Sequence, residues 1–475
     1  MILRGALGLT IAALVCAVGG CAPSLGATRL DGPPPATPLA VPGPAVRPSA
    51  PADGPSAAPS VATPPVAAEP APAPAPLVDP GLPEWLPVAA PEDVHLGPAA
   101  LAALVAEAER TASDALVVLS EGKLVVERYF GKPRGPIQTM SITKGFVGLA
   151  IGILLGEGKL HSIDLPVGTW LPDWRYNDYA KVTLRHVLTH TSGLYHEEET
   201  YPLTQRTNRL SYARNLPLVS EPGQVFAYNN EATLLLAGVV ERAAGMPLDD
   251  YLRRKLFEPL GIGDVRWERD AAGTPATYSG LALEARDLAK VGALLLAGGE
   301  WQGRSVVPST WLTEAAKPSA VEPTHGLLTW LLREGPYYVQ TAARREALGR
   351  DGLDAAAKLA HLDGRRFESR EAYWLEVGAA LDADERHRLA ELLGDERLPF
   401  DVIPARLVGY AYRGWLGQYL LVYPAEQLVV VRLRREPPRQ PPGSPETELD
   451  AGAFEALPRL AAALHVPAPA PVAVR

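Results

Sequence analysis

Apolar and polar positions alternate with two different periods along this chain, and the change of period marks its elements. Gly97–Ala112 reads as a helix. Ala115–Ser120 and Leu124–Tyr129 are two β-rich runs joined by Glu121-Gly122-Lys123, which reads as a hairpin loop. After Ser141 the chain is apolar almost without interruption from Gly145 to Leu155, ending near Gly156 and Gly158. A helix apolar on every side belongs in a core. Further helices are predicted near Thr183–Thr189, ahead of a polar loop at 190–200, and over Glu231–Ala244 and Leu281–Leu296. Gln418–Tyr423 and Leu428–Leu433 read as strands around Pro424-Ala425-Glu426-Gln427. Strands at both ends and helices between them predict an α+β domain. Its antiparallel sheet is built from both chain ends and flanked by helices, with a mainly helical section inserted.

Outside that pattern lie three stretches of biased composition. Residues 331–401 are charged and rich in Ala, Leu and Arg, with candidate helices at Asp351–His361 and Asp384–Leu393. They read as an insertion, either a lid over the cleft or a solvated side decoration. Residues 1–20 carry Arg4 and the apolar stretch Ala6–Val18, and read as a secretory signal. Gly19-Gly20-Cys21 resembles a bacterial lipobox, which would make Cys21 the lipidated first residue; cleavage near Ala27 is the competing reading. Residues 21–82 are Pro/Ala-rich and include Pro70-Ala71-Pro72-Ala73-Pro74-Ala75-Pro76, a composition that forms an extended polyproline tether rather than a core. The globular domain is then expected over 83–465, in the cell envelope and facing the periplasm or secreted.

Composition removes several functions. The chain of 475 residues has two cysteines, Cys16 and Cys21, both ahead of the expected domain. Thiolate catalysis, a disulfide framework and zinc–thiolate chemistry are excluded there. The net charge of −9 carries no basic footprint for nucleic acid.

Candidate chemistry centres on Ser141-Ile142-Thr143-Lys144. Residues i and i+3 share a helix face, about 5–6 Å apart at Cβ. An amine held neutral by burial can take a serine proton, so the spacing offers a nucleophile and its base. The helix N-terminus would favour a nearby oxyanion. Ser120 and Lys123 share the spacing, but on a turn. The alternative is that Ser141 is only an N-cap and Lys144 a snorkelling surface residue. Tyr228 and Asn230 stand in a loop before a helix, where they could supply a base and a substrate-orienting amide, or a core aromatic beside an N-cap. A lysine beside Tyr228 would favour its phenolate. Gly414-Trp415-Leu416-Gly417 reads as opening the strand of Gln418, where an edge N–H could join that of Ser141 in an oxyanion hole. His186 and His190 have zinc-like spacing but no third ligand, so no metal or other cofactor is expected. Arg286-Asp287 reads as a structural ion pair.

The order SxxK, YxN and Gly-rich C-terminal strand resembles the serine β-lactamase/penicillin-binding protein superfamily, in its class C-like branch. Leu188–Leu194 is similar to "LLTHTSGL", Pro259-Leu260-Gly261-Ile262 with Trp267 to "PLGM…W", Ser279-Gly280-Leu281 with Ala285–Ala289 to "GGL…ARDLA", and His325–Trp330 to "YGLGW". The resemblance implies a β-lactamase/transpeptidase-like fold. It implies acylation of Ser141, Lys144 as base or its proton partner, Tyr228 as the base for serine and later for water, and Asn230 as substrate orienter. Ser141 and Trp415 would give the oxyanion N–H groups. The family's Lys/His-Thr/Ser-Gly motif falls on Tyr412-Arg413-Gly414, so the glycine is kept and the carboxylate-binding pair is not. Arg413 could bind a carboxylate from another position. The expected function is therefore a secreted serine hydrolase cleaving a small ester, amide or peptide. A non-catalytic envelope binding module, or a true β-lactamase or D,D-peptidase, are the alternatives.

Overall fold

The computed structural model describes residues 76–198, 200–393, 397–437 and 456–465. Cys21, the signal and most of the tether lie outside the described residues.

Six strands form one antiparallel sheet: β1 (Ala115–Ser120), β2 (Lys123–Arg128), β3 (Trp330–Glu334), β4 (Arg406–Gly414), β5 (Gln418–Tyr423) and β6 (Leu428–Leu433), in the spatial order β2-β1-β6-β5-β4-β3. The two ends of the folded region meet where β1 pairs with β6, Ala115 opposite Leu433. This is the α+β, β-lactamase/transpeptidase-like arrangement that the sequence predicts. The period of two explains its layers. On β1, Ala115, Val117 and Leu119 face one core, while Leu116 and Val118 face another. The second core is closed by helix α1 (Pro98–Arg110), through Leu101, Leu104 and Ala108, and by α5 (Ala456–Ala462). The first core holds α2 (Ile142–Gly156), α3 (Asn230–Ala244) and α4 (Ala285–Leu296).

Helix α2 is buried along almost its whole length, as its apolar sequence requires. Its approach to the sheet depends on Gly145. A Cβ there would lie 2.4 Å from the Tyr412 ring, so only glycine lets the β4 side chain rest on the helix.

The structure differs from the expected elements in five places. Leu281–Leu283 is a strand, not helix, and pairs with Ile137–Gln138; α4 begins at Ala285. Gly414 ends its own strand, β4, and a turn at Trp415–Gly417 leads into β5. Residues 354–362 form a 3-10 helix. Arg286 pairs with Glu127 and Asp287 with Lys290, so they do not pair with each other. Finally, the domain begins before residue 83. Val78 bridges to Glu127 and Val88 to Leu124, which covers the outer edge of β2. Arg286 Nη1 donates to the Pro83 carbonyl at 2.8 Å.

The stretch expected as an insertion leaves from β3 and returns through β4. It has a core of its own, including Leu359, Leu362, Tyr373, Val377 and Phe400. Glu334 pairs with Arg406 at the base of this excursion, while Trp330 pairs with Ala411 at the other end of the ladder.

Candidate active site

Ser141 precedes the first residue of α2, and its hydroxyl makes no capping bond to the helix. Lys144 Nζ lies 3.0 Å from Ser141 Oγ and donates to the Tyr278 carbonyl at 2.9 Å. Lys144 is 2% exposed, so it is neither a surface residue nor snorkelling. Burial pushes its amine down to about 7, against a smaller pull upward from Glu231. A neutral amine has two N–H groups and one lone pair. With one N–H on Tyr278, the lone pair is available to the Ser141 proton.

The 274–283 segment that holds Tyr278 in place is tied to the start of α2. Thr139 N–H and Oγ1 both donate to the Leu281 carbonyl at 2.8 Å. Met140, immediately before Ser141, has φ +52°, in the left-handed region that costs a non-glycine residue free energy. His190, Leu328 and Leu416 are also left-handed, at +55°, +51° and +65°. His190 and Leu328 line the same cavity as Ser141, and Leu416 lies in the turn that follows Gly414.

That narrow cavity is lined by Ser141, Lys144, His190, Tyr228, His325, Leu328, Trp330, Tyr412 and Arg413. Tyr228 is stacked on Trp330 with ring centroids 5.8 Å apart, and the His190 ring centroid lies 4.5 Å from that of Tyr228. Lys144 Nζ is 4.7 Å from the Tyr228 ring centroid. Burial raises the phenol to about 12; its hydrogen bond with Ser141 and the charge of Arg413 pull it back only in part. This corrects the expected phenolate. Lys144 sits against the ring and is itself inclined to be neutral, so Tyr228 keeps its proton at rest.

The end of β4 completes the site. β3 stops at Trp330, opposite Ala411, so Tyr412–Gly414 has a ladder partner only in β5. The expected edge is therefore present locally, on a strand that is internal elsewhere. A Cβ on Gly414 would lie 2.5 Å from the Thr139 carbonyl and 3.1 Å from Met140 Cβ. Glycine at 414 lets the turn bearing Trp415 approach the backbone that leads into Ser141. The Trp415 side chain is exposed. Arg413 lies over the rings of Trp330 and Tyr419, 5.7 and 5.4 Å away.

Gly414 and Trp415, at the end of β4, do not line the cavity, and neither does Asn230. Its Nδ2 donates to Thr200 Oγ1 at 2.9 Å, while its buried Oδ1 has no partner among the described residues. Asn229 is the N-cap of α3, accepting from Ala232 N–H. His186 Nδ1 accepts from Thr183 N–H and His190 Nδ1 from Asn229 N–H. Tyr412, Trp330, His325 and His190 were not read from sequence as site residues. Their signal was their place inside motifs already recognised, at 188–194, 325–330 and 412–414.

A family description named Beta-lactamase matches residues 99–453. Penicillin-binding protein 4* of Bacillus subtilis is 30% identical over 144 residues, 28% of this chain and 31% of that protein. Esterase EstB of Burkholderia gladioli is 33% identical over 147 residues, 26% of this chain and 36% of that protein. The 6-aminohexanoate-dimer hydrolase of Paenarthrobacter ureafaciens is 26% identical over 224 residues, 43% of this chain and 57% of that protein. The matches thus span from about a third to just over half of these relatives. Among solved structures, a provisionally named 6-aminohexanoate-dimer hydrolase from Bacillus anthracis superposes with a TM-score of 0.53 at 18% identity, covering 79% of this chain and 86% of that one.

Proposed function

The chain belongs to the beta-lactamase family, and we propose that it is a secreted serine hydrolase that cleaves an ester or amide through an acyl-enzyme on Ser141. The observation that carries this reading is the buried Lys144 amine, 3.0 Å from Ser141 Oγ and pushed down to about 7. A base poised near neutral pH both accepts a proton and returns it readily.

The steps follow from the protonation states. Ser141 Oγ–H gives its proton to Lys144 Nζ as Oγ attacks the substrate carbonyl. The resulting oxyanion is met by the backbone N–H groups of Ser141 and Trp415, each such donor typically worth about 3 kcal/mol. Tyr228 gives its phenolic proton to the leaving alcohol or amine and recovers one from the Lys144 ammonium beside its ring. Water then attacks the acyl-enzyme, with the same groups taking its proton and restoring Ser141 Oγ–H. Asn230 orients the substrate only if its side chain leaves Thr200.

The substrate side favours an ester or simple amide over a β-lactam. Tyr412 stands where the family places Lys or His, and burial pushes its phenol further up, so it offers no charge to a carboxylate. The esterase and the 6-aminohexanoate-dimer hydrolase among the relatives support the same choice. Hydrolysis of p-nitrophenyl acetate by the wild type, abolished in Ser141→Ala, is the expected result; unchanged turnover in that variant refutes the proposal. Nitrocefin turnover faster than ester turnover would favour a true β-lactamase. We place the protein at the envelope through Cys21: Cys21→Ser should shift it from the membrane to the soluble fraction, and retention at the membrane would count against the anchor.

A further inference from the structure

Two imidazoles in the wall of the Ser141 cavity have no task in the chemistry above. His190 and His325 are each 1% exposed, and their ring centroids are 5.1 Å apart. His190 Nδ1 accepts the Asn229 N–H at 3.1 Å. A neutral imidazole accepting at Nδ1 carries its proton on Nε2, so Nε2 is a fixed donor and cannot be a metal ligand. That Nε2 is buried without a hydrogen-bond partner among the described residues, and so is Nδ1 of His325. A buried polar group left unmet typically costs about 1–3 kcal/mol, and two such groups beside one nucleophile require a reason. Both rings stay neutral: burial lowers His190 far below the usual imidazole range and His325 to about 4, with Lys144 adding to the effect on each.

We propose that His190 and His325 form a polar subsite for a hydroxyl group on the acyl part of the substrate. A hydroxyl accepts one hydrogen bond and donates another. It can accept from His190 Nε2–H and donate to the unprotonated nitrogen of His325. A ketone in the same place can only accept, and a plain alkyl chain leaves both imidazoles unmet. The rest of the wall, Leu328, Trp330 and Tyr228, closes in on this narrow cavity and restricts the acyl group to a few carbons. The substrate class is therefore a short hydroxyacyl ester or amide. This rests on the acyl-enzyme reading and narrows it.

The test compares p-nitrophenyl butyrate with its 3-hydroxybutyrate and acetoacetate counterparts, using the full chain. The expected order in kcat/KM is hydroxybutyrate, acetoacetate, butyrate, with the first about tenfold or more above the last, since a site built to bond a hydroxyl rejects analogues without one. In His325→Phe that ratio should fall toward one, and His325→Gln should restore part of it. Because the ratio is taken within each variant, a general loss of activity cancels. Equal rates for hydroxybutyrate and butyrate in the wild type, or a ratio unchanged in His325→Phe, overturn the subsite while Ser141-dependent ester hydrolysis stands. Should the wild type hydrolyse none of the three and take no adduct on Ser141, the acyl-enzyme reading falls, and the subsite with it.

Discussion

Lys144 carries opposite obligations to catalysis and to stability. With Lys144 as the proposed base, activity needs the neutral amine, so kcat/KM should rise as pH increases through about 7 and then level. No second limb should follow below about 12, where Tyr228 would lose its proton. A flat profile between pH 5 and 9 would exclude Lys144 as the base. For stability the sign runs the other way from an ordinary ion pair. The unfolded lysine holds its proton up to about 10.5 and the folded one only to about 7. Between those values the unfolded state binds more protons, so stability falls as pH drops from about 10.5 to 7 and changes no further below that. Lys144→Met removes this penalty at pH 7. It should abolish hydrolysis yet raise the melting temperature, by a net of about 1–3 kcal/mol in stability after the loss of the Tyr278 and Ser141 hydrogen bonds. Calorimetry of the folded variant checks this. The pairing of Ser141 with Lys144 was legible from the sequence because helical spacing alone brings them together. The protonation of Tyr228 was not, because it depends on how closely Trp330 and His190 cover the ring, and those residues arrive from elements far apart in the chain.

At the level of elements, glycines set how closely α2 and β4 meet. In Gly145→Ala the new methyl would meet the Tyr412 ring, and in Gly414→Ala it would meet the Thr139 carbonyl. Each should cost about 1–3 kcal/mol, the usual penalty for overpacking. They should differ in activity. A clash at Gly145 displaces a ring in the cavity wall, whereas one at Gly414 displaces the backbone that leads into Ser141, so Gly414→Ala should lower kcat the more, as read by ester turnover at matched folded fraction. The long elements were readable because each has a single dominant period: the β1–β2 hairpin, α2, α3, β5 and β6. Leu281–Leu283 was read as helix because three apolar residues ahead of an amphipathic helix fit either period. The pairing with Ile137–Gln138 decides it, and that partner is distant in sequence. β4 was missed as a separate strand because its residues Arg406–Gly414 mix polar and apolar positions without strict alternation, being covered unevenly by β3 on one side.

Across the whole molecule, the proposed catalytic residues sit where the sheet meets the inserted helices, and two outer segments are attached at other places. The 336–404 excursion has its own core and lends no residue to the cavity lining beyond Trp330, which precedes it. Of the two readings open from sequence, the side decoration is favoured over the lid. Because Glu334 and Arg406 are paired neighbours, the excursion can be replaced by a short turn between them. The shortened protein should fold and keep its rate on small esters within a fewfold; loss of turnover in a folded shortened protein would restore the lid. At the other end, the chain from Leu77 onward covers the edge of β2 and meets the buried Glu127–Arg286 pair through Pro83 and Trp85. A protein starting at residue 85 loses Pro83 and leaves Arg286 one acceptor short. It should melt several degrees below one starting at residue 77, as a buried unmet donor costs about 1–3 kcal/mol. The composition of the tether marked its extent only roughly, because Leu77–Pro83 is still proline-bearing; its hold on β2 comes from backbone bonds with Glu127 and from the Asp79–Arg128 ion pair.

The central claim is that Ser141 is a nucleophile activated by a neutral Lys144. Its most direct test is the rate at which a fluorophosphonate probe adds to the protein as a function of pH, with the adduct located by peptide mass mapping. The predicted result is a single adduct on Ser141, forming at a rate that rises through about pH 7 to a plateau and is lost in Lys144→Met. An adduct on another residue, none on the folded protein, or a rate on Ser141 indifferent to pH would contradict it.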